Sequence, residues 1–202
     1  SDEGAEIIDS GGESTRPGAS PVSAEEEMER VIPIIEAVSQ RFGVIISIDT
    51  SKATIMQAAV NAGTGMINDV RALKEEDALQ AAVKMAVPVC LMHMQGQPQS
   101  MQDKPVYADV TADVREFLSE RVDQCLEAGM DLNNIILDPG FGFGKTTEQN
   151  FQLLNELERI RSHDLPVLAG LSRKSMIGQT LNLGVNERVS ASIALALLAV
   201  LN

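Results

Sequence analysis

The sequence has few of the residues that bind nucleic acids or cross membranes. Tryptophan is absent and aromatic residues make up 3% of the 202 residues, which leaves few rings for stacking single-stranded nucleic acid. The net charge of −13 excludes an extended basic face for a phosphate backbone. The most apolar run, 189–201, contains small residues and is shorter than the roughly 18 residues of a membrane span. We therefore predict no nucleic-acid partner and no membrane insertion.

Cysteines are also few, and the sequence opens without a basic leader. Its two cysteines, Cys90 in an apolar run and Cys125 in a helix-like segment, have no metal-ligand spacing, so we expect reduced core residues. The first four residues, SDEG, do not resemble a signal peptide. A cytoplasmic location is therefore the default expectation. With 44% hydrophobic and 22% charged residues, the composition predicts one globular domain over residues 1–202.

What the sequence does contain is a repeated alternation of strand-like and helix-like segments. Runs such as VIISID and NIILD do not alternate apolar with polar residues, which is typical of strands covered on both faces. Ser23 with Glu26 forms a capping box for one helix, and Thr50 or Ser51 can cap another that stops at Gly63. The predicted strands number six, at residues 5–9, 44–49, 65–69, 88–94, 134–138 and 166–171.

This order of segments predicts a parallel sheet with helical cover, which can be an open doubly wound sheet or a (β/α)8 barrel. Polar residues at the ends of several strands fit the mouth of a barrel better than the single crevice of an open sheet. We therefore predict an α/β TIM barrel, of which about six βα units are present. Because six strands do not close an eight-stranded barrel, we expect one βα unit before Ser1 and one strand-led unit after Asn202.

The candidate chemistry begins with polar side chains at the strand ends. Asp49, Asn68 and Asp138 follow apolar residues at or near the ends of three strands. Buried carboxylates and amides are costly unless a ligand pairs with them. A single strand-end aspartate is as often a helix cap or part of a satisfied turn. Three such groups together match an aminopyrimidinone ring, which offers several N–H donors and a carbonyl acceptor in one plane.

Two turns add cations to this set. The turn GGESTRPGA places Thr15 beside Arg16, whose guanidinium suits a phosphate or carboxylate. The string SRKS, 172–175, combines hydroxyls, cations and backbone N–H groups at a helix start, which is typical of an anion site. The run DPGFGFGKT does not fit a phosphate loop, because Pro139 stands where that pattern needs glycine. We interpret it as a glycine-rich rim in which Phe141 and Phe143 flank a flat ligand.

Two residues near these turns each have more than one possible role. Lys145, at the end of the glycine-rich run, could contact an anion or could equally face solvent. His93 lies near a strand end and could approach the site, but no other residue stands at metal or catalytic-triad spacing from it.

Six strings, GGESTRPGA, SIDTSK, INDVRAL, CLMHMQG, LDPGFGFGK and LAGLSRKSMIG, occur in this order and together resemble the dihydropteroate synthase family. The resemblance implies a barrel transferase of folate biosynthesis. Such an enzyme joins 6-hydroxymethyl-7,8-dihydropterin pyrophosphate to p-aminobenzoate, gives 7,8-dihydropteroate and pyrophosphate, and is inhibited by sulfonamides. The resemblance also implies a homodimer and Mg²⁺, whose protein ligand we expect in a segment before Ser1 rather than within the chain.

The resemblance further implies roles in the pterin pocket. Asp138 would pair with the pterin amino and ring N–H groups, Asn68 would bind the same ring, and Asp49 would lie near its reactive side. Lys174 would contact the pterin carbonyl and a ring nitrogen. The pocket wall would include two residues, Met92 and Gly170.

Other matching residues would serve the second substrate and the leaving group. Thr15 and Arg16 would contact the pyrophosphate and order their loop. Pro17, Phe143 and Ser172 would line the aminobenzoate pocket. The implied catalytic residues are Asp49, Lys174 and Arg16.

Two alternatives stay open. One is a pterin-binding methyltetrahydrofolate methyltransferase domain, which would bind methyltetrahydrofolate but not aminobenzoate. The other is an inactive pterin-binding fragment. The strings STRPGA and SRKSMIG, as a pair, favour the synthase over the methyltransferase.

Overall fold

A computed structural model describes residues 4–16, 18–96 and 105–202. The strands are β1 (Ile7–Gly11), β2 (Ile45–Asp49), β3 (Met66–Asp69), β4 (Val89–Met92) and β5 (Ile135–Asp138). The α-helices are α1 (Ala24–Ser39), α2 (Ala53–Ala62), α3 (Ala78–Met85), α4 (Val110–Glu127), α5 (Thr147–Asn155), α6 (Ser175–Leu181) and α7 (Val189–Leu201). Short 3-10 turns occupy Leu132–Asn134, Leu157–Ile160 and Val185–Glu187.

The strands form one parallel sheet in the order β1-β2-β3-β4-β5, with helices in the connections. The sixth predicted strand is reduced to one parallel bridge between Val167 and Leu137 of β5. The amide of Leu137 donates to the Pro166 carbonyl at 2.9 Å, and the amide of Leu168 donates to the Leu137 carbonyl at 2.8 Å. Successive parallel strands that each neighbour the next are the arrangement of βα units in a (β/α)8 barrel, so the predicted fold class is confirmed.

The two faces of the sheet differ in chemistry, because successive residues of a strand point to opposite faces and register partners share a face. Asp49 pairs with Asn68, Asn68 pairs with Cys90, and Met92 pairs with Asp138. These residues therefore lie on one face together with Asp9, the partner of Ser47. The opposite face packs under the helices and carries the buried residues Ile46, Ile48, Ile67, Val89, Leu91, Ile135 and Leu137.

The helix boundaries follow the predicted signals in part. The Ser23 side chain accepts from the Glu26 amide at 3.2 Å, as predicted, while the Glu26 carboxylate forms an ion pair with Arg30. Gly63 ends α2 with φ +117, also as predicted.

The predicted cap of α2 by Thr50 or Ser51 is wrong. The N-cap is Lys52, and its side chain makes no capping bond. Thr50 accepts from the Lys52 amide at 3.2 Å, and the Ser51 hydroxyl donates to Asp69, 2.5 Å away. Both hydroxyls therefore bond to groups other than the first free amides of the helix.

Cys90 and Cys125 are free and buried, in agreement with the prediction. Among the described residues, none of the helices has the length and apolar character that a membrane span requires.

Candidate active site

Asp49 and Asn68 lie side by side at the ends of β2 and β3. The Asn68 amide donates to Asp9, with 3.3 Å between Nδ2 and Oδ2. Oδ1 of Asp49 and Oδ1 of Asn68 are both buried and have no hydrogen-bond partner in the described part of the chain. Since buried polar atoms are normally paired, these two acceptor oxygens indicate a place for a ligand with N–H donors.

The pKa of the Asp49 carboxyl lies near neutral pH. Burial raises its pKa to about 7, and the neighbouring carboxylates of Asp9 and Asp69 add to the shift. A carboxyl in this state can accept hydrogen bonds when ionised and can donate one when protonated.

Asp138 ends β5 on the same face and is 6% exposed. Its Oδ1 accepts from the Gly140 amide at 2.7 Å. Burial raises the pKa of Asp138 to about 6, against the lowering effect of the Gly140 hydrogen bond and of Lys174 and Lys145. The carboxyl is therefore largely ionised above pH 6, and its other oxygen can accept from a ligand.

Asp69, the neighbour of Asn68, points to the helix side and has a structural role. Its carboxylate accepts from the Ser51 hydroxyl and from the amides of Arg71 and Leu73, at 2.9 and 2.7 Å. Burial raises its pKa. Asp69 and Asp49 are each the last residue of a strand, but only Asp49 lies on the polar face.

The Lys174 ammonium lies over the ring of Phe143. Lys174 is the N-cap of α6, and its Nζ lies 4.6 Å from the centroid of the Phe143 ring. Burial lowers the pKa of Lys174, while Asp138 acts in the opposite direction. Ser172 is exposed just before this cap. A Cβ on Gly170 would meet no atom within 4 Å, so its surroundings do not require glycine.

Thr15 and Asp49 border the same cavity of about 560 Å³, whose other lining residues include Glu13, Lys52 and Arg71. Arg16, the residue after Thr15, is exposed, and Met92 borders a separate cavity of about 210 Å³. Pro17 lies outside the described residues. The structure thus brings together Thr15 with Asp49, Asp49 with Asn68, and Phe143 with Lys174, whereas Met92 faces a neighbouring hollow.

One group of charged residues in the larger cavity was not predicted. The Lys52 ammonium forms ion pairs with Glu13 and with Glu27, the latter at 2.5 Å. Glu27 is 1% exposed and belongs to α1, whereas Glu13 lies in the turn after β1. Lys52, which follows β2, therefore connects its own segment to both. Glu13 and Lys52 stand within the strings GGESTRPGA and SIDTSK, but nothing in their spacing reveals that they pair across 39 positions.

Lys145 and His93 form a buried pair, which excludes the solvent-facing role considered for Lys145. Lys145 is 3% exposed and His93 is 5% exposed. Lys145 Nζ lies 3.0 Å from His93 Nδ1. Burial lowers the pKa of Lys145 to about 7, and burial together with the Lys145 charge lowers that of His93 to about 2. Lys145 therefore does not face solvent.

The described residues contain no group of three or more histidine, cysteine or acidic side chains arranged to hold a metal ion. This finding does not test the prediction of Mg²⁺, whose protein ligand is expected before Ser1.

A sheet of parallel βα units with carboxylates and an amide near its strand ends is the arrangement of a (β/α)8 barrel enzyme. Residues 1–202 match the model of the pterin binding enzyme family, and the chain belongs to that family.

Several of the relatives that it resembles are dihydropteroate synthases. The chain is 55% identical over 199 residues to the dihydropteroate synthase of Haemophilus influenzae. This match covers 98% of the chain and 72% of the relative. A crystal structure of the Yersinia pestis enzyme with a sulfonamide drug complex has a TM-score of 0.96 and 50% identity, covering 98% of this chain and 72% of that one. The Xanthomonas albilineans enzyme with 4-aminobenzoic acid has a TM-score of 0.93 and 50% identity, over 98% and 71%.

Proposed function

We propose that residues 1–202 form a pterin-binding barrel domain that acts as a dihydropteroate synthase. The reaction joins 6-hydroxymethyl-7,8-dihydropterin pyrophosphate to p-aminobenzoate and releases pyrophosphate, and sulfonamides compete with p-aminobenzoate. The observation that carries this proposal is the pair of buried, unpartnered acceptor oxygens on Asp49 and Asn68. The pterin ring carries an amino group and a ring N–H in one plane, and these are the hydrogen-bond donors that the two oxygens lack.

The proposed mechanism proceeds by loss of the leaving group before attack. The C–O bond between the pterin methylene and the pyrophosphate breaks, and its electron pair leaves with the pyrophosphate. The aminobenzoate nitrogen then forms a bond to the cationic methylene carbon and loses a proton. Asp49 and Asp138 are fixed carboxylates that would stabilise the positive charge as it develops. No protein nucleophile is required.

The remaining residues would orient the two substrates. Lys174 would donate to the pterin carbonyl, and its neighbour Phe143 would cover the aminobenzoate ring, with the carboxylate of that ring near Ser172. Thr15 and Arg16 would bind the pyrophosphate; the position of Thr15 on the cavity of Asp49 supports this assignment.

Three further parts of the proposal rest on the family resemblance. Mg²⁺ is expected with the pyrophosphate, but we assign no step to it, because the described residues do not complete a metal site. A cytoplasmic location and a homodimer also stay predictions.

Substitution of Asp138 tests this function. We expect Asp138→Asn to lower kcat/KM for dihydropteroate synthesis by at least about 100-fold, because the carboxylate is replaced by a neutral amide. The measurement is dihydropteroate formation with Mg²⁺ from both substrates. Asp164→Asn, at an exposed position, is the matched control and should leave the rate unchanged.

An unsubstituted protein that forms no dihydropteroate would contradict the proposal. Binding of methyltetrahydrofolate without binding of aminobenzoate would favour the methyltransferase instead.

A further inference from the structure

We propose that Lys145 is a positioning residue for the pterin pocket, which fixes the glycine-rich segment 139–144 and places a positive charge near Asp138. This inference rests on the proposed pterin site and assigns a role to a residue that does not line it.

The geometry around the Lys145 ammonium is that of a clamp. Nζ lies 3.0 Å from the carbonyl oxygens of Gly140 and Phe143 and 3.4 Å from that of His93. The first two carbonyls belong to the glycine-rich segment, and the third follows β4. Hydrogen bonds from an ammonium are stronger than those from a neutral donor. One side chain thus ties the segment to the neighbouring strand.

His93 is suited to accept from this ammonium. Its ring packs edge-on against Phe117, with 4.9 Å between the centroids, and burial keeps it neutral. A neutral ring with its proton on Nε2 offers Nδ1 as an acceptor at 3.0 Å from Lys145. This tautomer follows from the hydrogen-bond network.

The clamp acts on two of the residues that would meet substrate, Asp138 and Phe143. Gly140, held through its carbonyl, donates its amide to Asp138 at 2.7 Å. Phe143, also held through its carbonyl, presents its ring to Lys174. Fixing these two backbone carbonyls therefore fixes the acid and the aromatic wall relative to each other.

Asn150 supports the same segment from α5. Its Oδ1 accepts from the Gly142 amide at 2.7 Å, and its Nδ2 donates to the Thr146 carbonyl at 2.7 Å. The segment is thus held by two buried side chains, and only Lys145 of the two carries a charge.

Burial of a lysine costs free energy of folding. Its desolvation opposes folding, and an apolar side chain of similar volume could fill the space at lower cost. The charge has a use if it favours the ionised form of Asp138, and Lys145 does lower the pKa of that carboxyl. The other charged side chain that lowers the pKa of Asp138 is Lys174, and Asp138 in turn helps to raise the pKa of the buried Cys90 thiol well above its ordinary value, so that the thiol stays neutral.

Two substitutions distinguish the effect of the Lys145 hydrogen bonds from the effect of its charge. Lys145→Met removes both the donors and the charge, whereas Lys145→Gln keeps two N–H donors and removes the charge. The probe is 6-hydroxymethylpterin, with binding measured by titration calorimetry between pH 5.5 and 7.5. Lys84→Met, at an exposed position of α3, is the control and should bind as the unsubstituted protein does.

We expect both variants to bind the pterin more weakly near pH 6, by about fivefold for Lys145→Gln and more for Lys145→Met. Loss of the cation raises the pKa of Asp138, so the fall in affinity at low pH should move to higher pH in both variants. The difference between Lys145→Gln and the unsubstituted protein should narrow at pH 7.5, where Lys145 itself loses its proton.

The outcomes distinguish this role from the function on which it rests. If the unsubstituted protein binds no pterin at any pH, the proposed function fails. If it binds and both variants show the same affinity and pH dependence, the role of Lys145 is overturned. An equal loss at every pH in both variants would indicate a packing defect and would also overturn it. Because Lys145→Gln preserves donors, it keeps the test valid if Lys145→Met does not fold.

Discussion

Gly140 illustrates how closely the glycine-rich segment approaches its neighbours. Its φ is +70, and a Cβ at this position would lie 1.9 Å from the carbonyl oxygen of His93. We expect Gly140→Ala to lower the free energy of unfolding by more than about 2 kcal/mol, because backbone strain and a steric clash add. Urea unfolding followed by circular dichroism measures this change.

Gly129 provides the matched control for that clash. It has φ +95, but a Cβ there would meet no atom within 4 Å. Gly129→Ala should therefore cost only the backbone strain, about 1 kcal/mol. Equal costs for the two substitutions would mean that His93 moves aside freely.

At the level of single residues, the sequence identified acids but could not assign them to a face. Asn68 and Asp69 must point to opposite faces because they are adjacent in a strand. Which of them faces the helices depends on packing by distant segments. The same limit applies to Lys145, whose burial arises from contacts with His93, 52 positions away.

At the level of elements, α7 supports the SRKS turn. The Ser192 hydroxyl accepts from the Arg173 amide at 2.9 Å and donates to the Arg188 carbonyl, 2.7 Å away. Arg188 in turn donates to the Arg173 carbonyl at 3.1 Å. Arg173 has φ +52, a conformation that needs such support in a residue with a side chain.

Removal of the Ser192 hydroxyl should loosen this turn without unfolding the protein. We expect Ser192→Ala to raise KM for aminobenzoate by about fivefold, the equivalent of one hydrogen bond of about 1 kcal/mol, with little change in kcat. Steady-state kinetics measure both constants. Ser190→Ala, exposed on the same helix, should change neither, and a loss confined to kcat would argue against the support role.

The elements themselves could largely be predicted, because apolar runs and helix stops are local signals. The stop at Gly63 and the cap at Ser23 stand where the sequence places them. The sixth strand is less regular than predicted, since Pro166 has no amide to donate and Val167 alone forms a bridge. The cap of α2 was missed because Ser51 bonds to Asp69, a partner 18 positions away.

At the level of the whole molecule, the acids of the site should make the fold less stable as pH rises. The pKa of Asp49 is about 7 in the folded protein, against an ordinary value of 3.8. Between these values the folded protein holds a proton that the unfolded chain has released, so the free energy of unfolding falls as pH increases. For Asp49 this loss is on the order of 2 kcal/mol between pH 5 and pH 8, whereas His93 and Lys145, whose pKa values burial lowers to about 2 and about 7, contribute in the opposite direction.

Asp49→Asn tests the source of that loss. The amide cannot ionise, so between pH 5 and pH 8 the free energy of unfolding of this variant, measured by urea unfolding, should rise relative to that of the unsubstituted protein by the loss given for Asp49. Asp138, whose pKa is about 6, contributes in the same direction as Asp49 but is present in both proteins and cancels from this difference. An unchanged slope in Asp49→Asn would assign the pH dependence to other groups.

The alternation of the two faces has a consequence for how such a protein can diverge. Polar-face and core-facing positions follow one another along the same strands, as Asp49 and Ile48 do at the end of β2. A point substitution on the polar face, where we propose that the pterin binds, can therefore change substrate preference while the core keeps its packing. A deletion of one residue within a strand would instead exchange the two sets and place a carboxylate under the helices. New specificities in this barrel should thus arise by replacement within strands, and changes of length should be confined to the turns.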